Sequence, residues 1–304
     1  VLSYKKAITL KSDYAEAHYN LGVALQDLGR LEEAETSYNQ ATISKPKFAE
    51  AHGNLGNVLQ ELGRLGEAEI SLRKAIEIQP DYALAHSNLG NILRELGGLR
   101  EAEASHRRAV DLKPELPEAH GNLANTLREL NLVEEAEQSY TRAIKLKPDY
   151  ADAHLNYGIL LRTQKRHEEA VESFTQAIRL DSDLVDAYNN LGITLREQGK
   201  LEAAKSSFEK AIDLERDNDL VHSNLGNVQK ELGQLEEAKE SYLRAIELNS
   251  SYSEAHYNLG ITLIELNDPK GAESSLKRAL VCKNGYSQAY NSLAIMQSKM
   301  GRLI

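Results

Sequence analysis

The string AHxNLG, or a close variant, returns every 34 residues along the whole chain. It stands at 17–22, 51–56 and 85–90, then as AHGNLA from Ala119 and AHLNYG from Ala153. AYNNLG from Ala187, VHSNLG from Val221, AHYNLG from Ala255 and AYNSLA from Ala289 follow in phase, with no insertion. A fixed period of this length marks one supersecondary unit copied in tandem, each copy burying its apolar face on the next. Such an array grows in one dimension, so the 304 residues need not be divided among globular domains.

Counted from Ala15 as position 1, eight full repeats occupy 15–286. Residues 1–14 read as the second half of a preceding repeat and 287–304 as the first half of a following one, so that 1–304 is expected to be a single array. Apolar or small residues fill positions 3, 4, 7, 8, 11 and 14, as in Ala17, His18, Leu21, Gly22, Leu25 and Leu28. At about 100° per residue these fall on one face of a helix. Position 15 is glycine in Gly29, Gly63, Gly97, Gly199 and Gly233, a residue that can end the helix in the left-handed conformation. A second apolar set follows at 17, 20, 24, 27 and 28, as in Leu65, Ala68, Leu72, Ala75 and Ile76, and marks a second helix. Pro46, Pro80, Pro114 and Pro148 at position 32 stop it. The last four repeats carry Ser182, Arg216, Ser250 and Asn284 there, and their junctions are expected to be looser or their helices longer. Small residues at 8, 20 and 27, such as Gly22, Ala34 and Ala41, let the two helices approach closely. The fold class is therefore all-α, built of antiparallel helix pairs.

This pattern resembles the tetratricopeptide repeat over the whole chain: a large residue at 4, Leu-Gly at 7–8, alanine at 20 and 27, an aromatic at 24 and proline at 32. Position 24 is Tyr38, Leu72, His106, Tyr140, Phe174, Phe208, Tyr242 and Leu276. The resemblance implies a right-handed superhelical solenoid whose first helices line a concave side.

Positions 2, 5, 6, 9, 12 and 13 project away from the core stripe of the first helix. Position 6 is asparagine in all eight full repeats: Asn20, Asn54, Asn88, Asn122, Asn156, Asn190, Asn224 and Asn258. Asparagine is a mediocre helix former, but its amide offers both a donor and an acceptor. A row of such amides can bond successive peptide units of an extended chain without reading its side chains. Asn57, Asn91, Asn125 and Asn227 at position 9 are expected to broaden the row. The alternative is that position 6 bridges neighbouring repeats or persists from duplication of one unit. The row is similar to that of the O-GlcNAc transferase repeat domains, in which concave asparagines hold the substrate backbone. The expected function is accordingly a scaffold binding an extended peptide or protein segment. The alternatives are a substrate-recruiting arm of a larger glycosyltransferase-type enzyme and a structural spacer that stacks end to end.

Several classes are disfavoured. The formal net charge of −10 argues against phosphate backbones and anionic membrane surfaces, so neither nucleic acid nor membrane is an expected partner. The carboxylate clamp of cochaperone repeat domains needs Lys or Arg at positions 5, 2 and 6, whereas position 2 here is mostly acidic (Glu16, Glu50, Glu118, Asp152, Asp186, Glu254). Seven histidines at position 4 (His18, His52, His86, His120, His154, His222, His256) lie one per repeat, with Tyr188 and Tyr290 replacing two more, which reads as packing rather than metal binding. Cys282 is the only cysteine, too few for a disulfide framework. No nucleophile, phosphate-loop or zinc-helix motif occurs, so no enzyme activity, cofactor or metal is expected. Arg-Glu pairs at 12–13, such as Arg94-Glu95 and Arg196-Glu197, read as a solvated face. A cytoplasmic location is the expectation. Val1 reads as an internal residue of a longer protein. Uncovered apolar residues such as Leu293 and Met300 lead to the expectation of head-to-tail self-association through the two half repeats.

Overall fold

The residue at position 15 decides where each first helix stops. In the computed structural model, which describes residues 1–299, all eight copies of this position have positive φ, from 59° at Asn131 and Asn267 to 82° at Gly97. The following amide then folds back on position 11, as Arg30 does on the Leu25 carbonyl and Lys200 on that of Leu195, each at 2.9 Å. Glycine adopts this conformation freely. Lys165 takes it at φ 61° with a β-carbon in place, which is strained. Lys165→Gly is therefore expected to stabilise its unit by about 1 kcal/mol. The effect would appear as a higher denaturant midpoint at unchanged slope, and a lower midpoint would contradict the strain argument.

The chain divides into two compact units, Val1–Asp149 and Tyr150–Ile304. Unit one holds α1 (Leu2–Leu10), α2 (Ala15–Gln26), α3 (Leu31–Ser44), α4 (Ala49–Glu61), α5 (Leu65–Ile78), α6 (Ala83–Glu95), α7 (Leu99–Leu112), α8 (Pro117–Glu129) and α9 (Val133–Leu146). Unit two holds α10 (Ala151–Thr163), α11 (His167–Leu180), α12 (Val185–Glu197), α13 (Leu201–Leu214), α14 (Asp219–Glu231), α15 (Leu235–Leu248), α16 (Ser253–Glu265), α17 (Pro269–Cys282) and α18 (Ser287–Lys299). Among the described residues every regular element is an α-helix. Within each unit the helices of one repeat pack on each other, and each second helix packs on the first helix of the next repeat. This is the local architecture of an all-α repeat solenoid.

The second helices of the eight full repeats all have 14 residues, with or without proline at position 32. The expected lengthening is thus absent, and at two of the four proline-free junctions the position-4 histidine supplies a physical reason. His52, His86 and His120 bond through Nε2 to the carbonyls of Pro46, Pro80 and Pro114, at 3.2, 3.0 and 2.9 Å. His222 and His256 do the same to Arg216 and Ser250, at 2.9 and 3.1 Å. The histidine thus holds the turn carbonyl at two of the four proline-free junctions; after Ser182 and Asn284 position 4 is Tyr188 and Tyr290.

Ring packing sets the interior. Tyr38, Tyr140, Tyr242, Phe174 and Phe208 at position 24 are fully buried. A β-carbon on Gly192 would lie 2.8 Å from the ring of Phe208, which is why position 8 stays small. Two expectations fail at the edges. Leu28 and Leu96 at position 14 are 61% and 49% exposed, whereas Leu62, Leu232 and Leu266 at the same position pack on the core. Leu293 is half-buried against Leu259, Leu276 and their neighbours rather than uncovered. Met300 lies outside the described residues. No helix among the described residues is long and apolar enough to cross a membrane.

Candidate functional site

Residues in phase on neighbouring first helices come side by side, because α2, α4, α6 and α8 pack in sequence, as do α10, α12, α14, α16 and α18. The position-6 asparagines therefore form one row of four on each unit. In unit one, Asn54 donates from Nδ2 to the Tyr19 hydroxyl at 3.2 Å and the Tyr38 hydroxyl at 3.4 Å. Asn88 donates to Asn57 Oδ1 at 2.6 Å and Asn122 to Ser87 Oγ at 3.1 Å. In unit two, Asn224 donates to Asn189 Oδ1 at 3.0 Å and Asn258 to Asn227 Oδ1 at 2.9 Å.

These five amides bridge to the preceding repeat. Asn156 and Asn190 instead turn their donors back on their own helix, to the carbonyls of Asp152 at 2.9 Å and Asp186 at 2.8 Å. Asn190 Oδ1 also accepts from Arg162 Nη2 at 3.4 Å. Asn20 is exposed and makes no side-chain hydrogen bond among the described residues. Position 6 is thus not a row of idle amides. One donor is engaged in nearly every copy. The carbonyl oxygens of the five bridging residues accept nothing among the described residues and are not sealed from solvent. What the row offers outward is chiefly a line of acceptors, suited to peptide N–H groups.

Position 9 has a different role from the one expected. Asn125 Oδ1 accepts from the buried Tyr140 hydroxyl at 2.6 Å, and Asn227 Oδ1 from Tyr242 at 2.8 Å. Burial pushes the Tyr140 hydroxyl up to about 12, so it remains a donor. In the third repeat His106 replaces the tyrosine. Its two ring nitrogens and Asn91 Oδ1 are all buried without a partner. Asn57, Asn125 and Asn227 thus orient neighbouring residues as much as they line a face. Position 5 also departs from expectation: Gly53, Ser87, Gly121, Leu155 and Ser223 are buried rather than free.

Positions 12 and 13 cross-link neighbouring repeats, where a solvated face was expected. Gln26 donates to Glu61 at 2.7 Å, and Arg94 pairs with Glu129 and Arg196 with Glu231 at 2.8 Å. The partners are part-exposed, so each contributes roughly 0–1 kcal/mol. Their larger effect is to fix side chains beside the asparagine row.

Sequence reasoning missed one feature. A cleft of about 510 Å³ in unit two is lined by Arg162, Thr163, Lys165, His167 and Glu197. The signal was present in the sequence as four departures from the repeat pattern within five residues: Thr163, Gln164, Lys165 and His167 replace the usual Glu, Leu, Gly and Leu. No group of three or more His, Cys, Asp or Glu side chains that could hold a metal gathers among the described residues. The site offers hydrogen bonding and charge, and the arrangement points to binding.

Profiles described as tetratricopeptide repeat match residues 47–115, 87–150, 122–185 and 173–206. One described as TPR repeat matches 1–29, 24–63, 194–233 and 230–267, so the matches together run from residue 1 to 267 without a gap. No curated protein sequence matches the chain. Among solved structures, the APC/C hetero-tetramer Cut9–Hcn1 aligns with a TM-score of 0.68 at 15% identity, over 97% of this chain and 58% of that one. This chain therefore spans little more than half the length of that relative. PilF of Pseudomonas aeruginosa aligns with a TM-score of 0.63 at 22% identity, over 70% of this chain and 96% of that one. A tetratricopeptide repeat protein from Parabacteroides merdae gives 0.61 at 18% identity, over 82% and 98%. At these identities the likeness establishes the fold.

Proposed function

The chain belongs to the tetratricopeptide repeat family, whose members are in general protein-interaction modules, and from that premise we propose that it binds an extended peptide along the first-helix face. One observation carries the reading: the position-6 carbonyls of Asn54, Asn88, Asn122, Asn224 and Asn258 stay unoccupied while their amide donors are fixed by the neighbouring repeat. A preset acceptor loses little freedom when a ligand bonds to it. The same chemistry suits backbone recognition, which is sequence-tolerant because every non-proline residue presents an N–H. The Cut9–Hcn1 relative, by its description, assembles with another protein, which is consistent with a binding role here.

A random linear peptide library panned on the chain tests this. Bound peptides are expected to protect amides of the first helices, such as α4, α6, α12 and α14, from hydrogen exchange, and to leave α5 and α13 unchanged. Protection confined to second helices would contradict the assignment of the face. Failure to select any peptide would favour the spacer reading.

A further inference from the structure

The turn between α10 and α11 departs from its seven counterparts in one chemical direction. Position 13 loses its carboxylate to Thr163, position 14 carries an amide in Gln164 as it does in Gln198 of the next repeat, position 15 gains a cation in Lys165, and position 17 gains an imidazole in His167. Two of these changes are costly. Lys165 sits at φ 61°, where glycine is unstrained, and His167 replaces an apolar residue.

The same turn gathers orphaned polar atoms. Of the five buried polar side-chain atoms without a partner among the described residues of unit two, four lie here: Arg162 Nε, Gln164 Nε2, His167 Nδ1 and Gln198 Oε1; Arg94 and Arg128 leave the same Nε unpaired in unit one, so the orphans peculiar to this turn are those of Gln164, His167 and Gln198. Three of the four are nitrogens that can donate. Native structures rarely leave such atoms unpaired, so a cluster of them marks a place where something else bonds.

The local ion pair is also loose. Arg94–Glu129 and Arg196–Glu231 are 2.8 Å apart, but Arg162 Nη1 lies 3.6 Å from Glu197 and His167 Nδ1 lies 3.4 Å from it. Glu197 is shared between two donors and saturates neither. Lys165 has no ion pair among the described residues. With two cations against one carboxylate, the cleft carries about one net positive charge in a chain of net −10. A single negative charge on two oxygens matches both that charge and the Arg162 fork better than a dianion does. Arg162 also donates to Asn190, which joins the cleft to the position-6 row.

We propose that this cleft is an oxyanion subsite that takes the side-chain carboxylate of an Asp or Glu in the peptide held on unit two. Arg162 and His167 donate to the carboxylate from the half-buried wall of the cleft, and Lys165 closes it from the exposed side. The assignment to a peptide residue rests on the peptide-binding reading above. The oxyanion subsite itself does not.

Two arms of one experiment separate those levels, both on the full chain. In the first, sodium acetate and inorganic phosphate are titrated while the Arg162 and His167 side-chain signals are followed by NMR. Saturable shifts with acetate are expected, weakened about tenfold or more in Arg162→Gln and in Lys165→Gly. Lys165→Gly relieves backbone strain, so its loss of binding cannot come from unfolding. In the second arm, peptides selected from a random library by the unaltered chain are expected to be enriched in Asp or Glu at one fixed place, and those selected by Lys165→Gly are not. No saturable shift with either anion overturns the subsite. Shifts with phosphate alone, or acetate binding without acidic enrichment among captured peptides, overturn the carboxylate assignment and point to a free anion. Acetate binding with no peptide captured at all overturns the peptide level and leaves the subsite standing.

Discussion

His106→Tyr is expected to stabilise unit one by about 2–3 kcal/mol at neutral pH. In the fourth and seventh repeats a tyrosine at this position places its hydroxyl 2.6 Å from Asn125 Oδ1 and 2.8 Å from Asn227 Oδ1. In the third repeat the imidazole is too short to do so. Asn91 Oδ1, His106 Nδ1 and His106 Nε2 are all buried and unpaired. Leaving a buried polar group without a partner costs about 1–3 kcal/mol, and a made hydrogen bond contributes roughly 1 kcal/mol. Room for the larger ring exists in principle, because Gly90 faces His106 as Gly226 faces Tyr242.

The effect should grow in acid. Burial, and then the nearby Arg94 charge, hold the His106 imidazole down at about 3. Its folded pKa is depressed below the unfolded value, so the folded state binds fewer protons than the unfolded chain between the two. The contribution to stability is fully present above the unfolded pKa of about 6.5 and is lost as pH falls toward 3. Tyrosine does not titrate in that window. Denaturant melts at pH 7 and pH 5 are expected to show a larger gap between the two proteins at pH 5. Equal or lower stability of His106→Tyr at both would show that His106 has partners this account denies it.

The helical period, the paired helices and their end points were legible in the sequence because each is enforced locally. A left-handed residue must follow the first helix, and a small residue must face the position-24 ring, so both leave fixed marks. The hydrogen bonds between repeats were not legible. Asn54 and Asn88 occupy the same register, yet one bonds tyrosine hydroxyls and the other an asparagine, because the partner is set by what the preceding repeat carries at positions 5, 9 and 24. Position 14 holds to the apolar stripe at Leu62, Leu232 and Leu266, which pack on the core, but not at Leu28 and Leu96, which lie just past the helix end and are exposed. The Arg162–His167 turn could have been found by reading departures from the period rather than the period itself.

The roles found at position 6 decide which variants can test binding. Replacing Asn88 or Asn122 removes a bridge between repeats, so a lost affinity there would mix recognition with stability. Asn156 bonds only its own helix, and Asn190 adds one long contact of 3.4 Å from Arg162, so they can be removed with less structural consequence than the bridging residues. Alanine is also the better helix former. Two hydrogen bonds of about 1 kcal/mol each correspond to a loss of roughly tenfold or more in affinity.

The most direct measurement is the affinity of a library-selected peptide for Asn156→Ala/Asn190→Ala, taken beside its denaturant midpoint. The account predicts affinity at least about tenfold weaker with the midpoint unchanged or raised. Unchanged affinity at unchanged midpoint would mean that Asn156 and Asn190 do not hold the peptide, and would contradict the central claim that the position-6 row binds it as a whole.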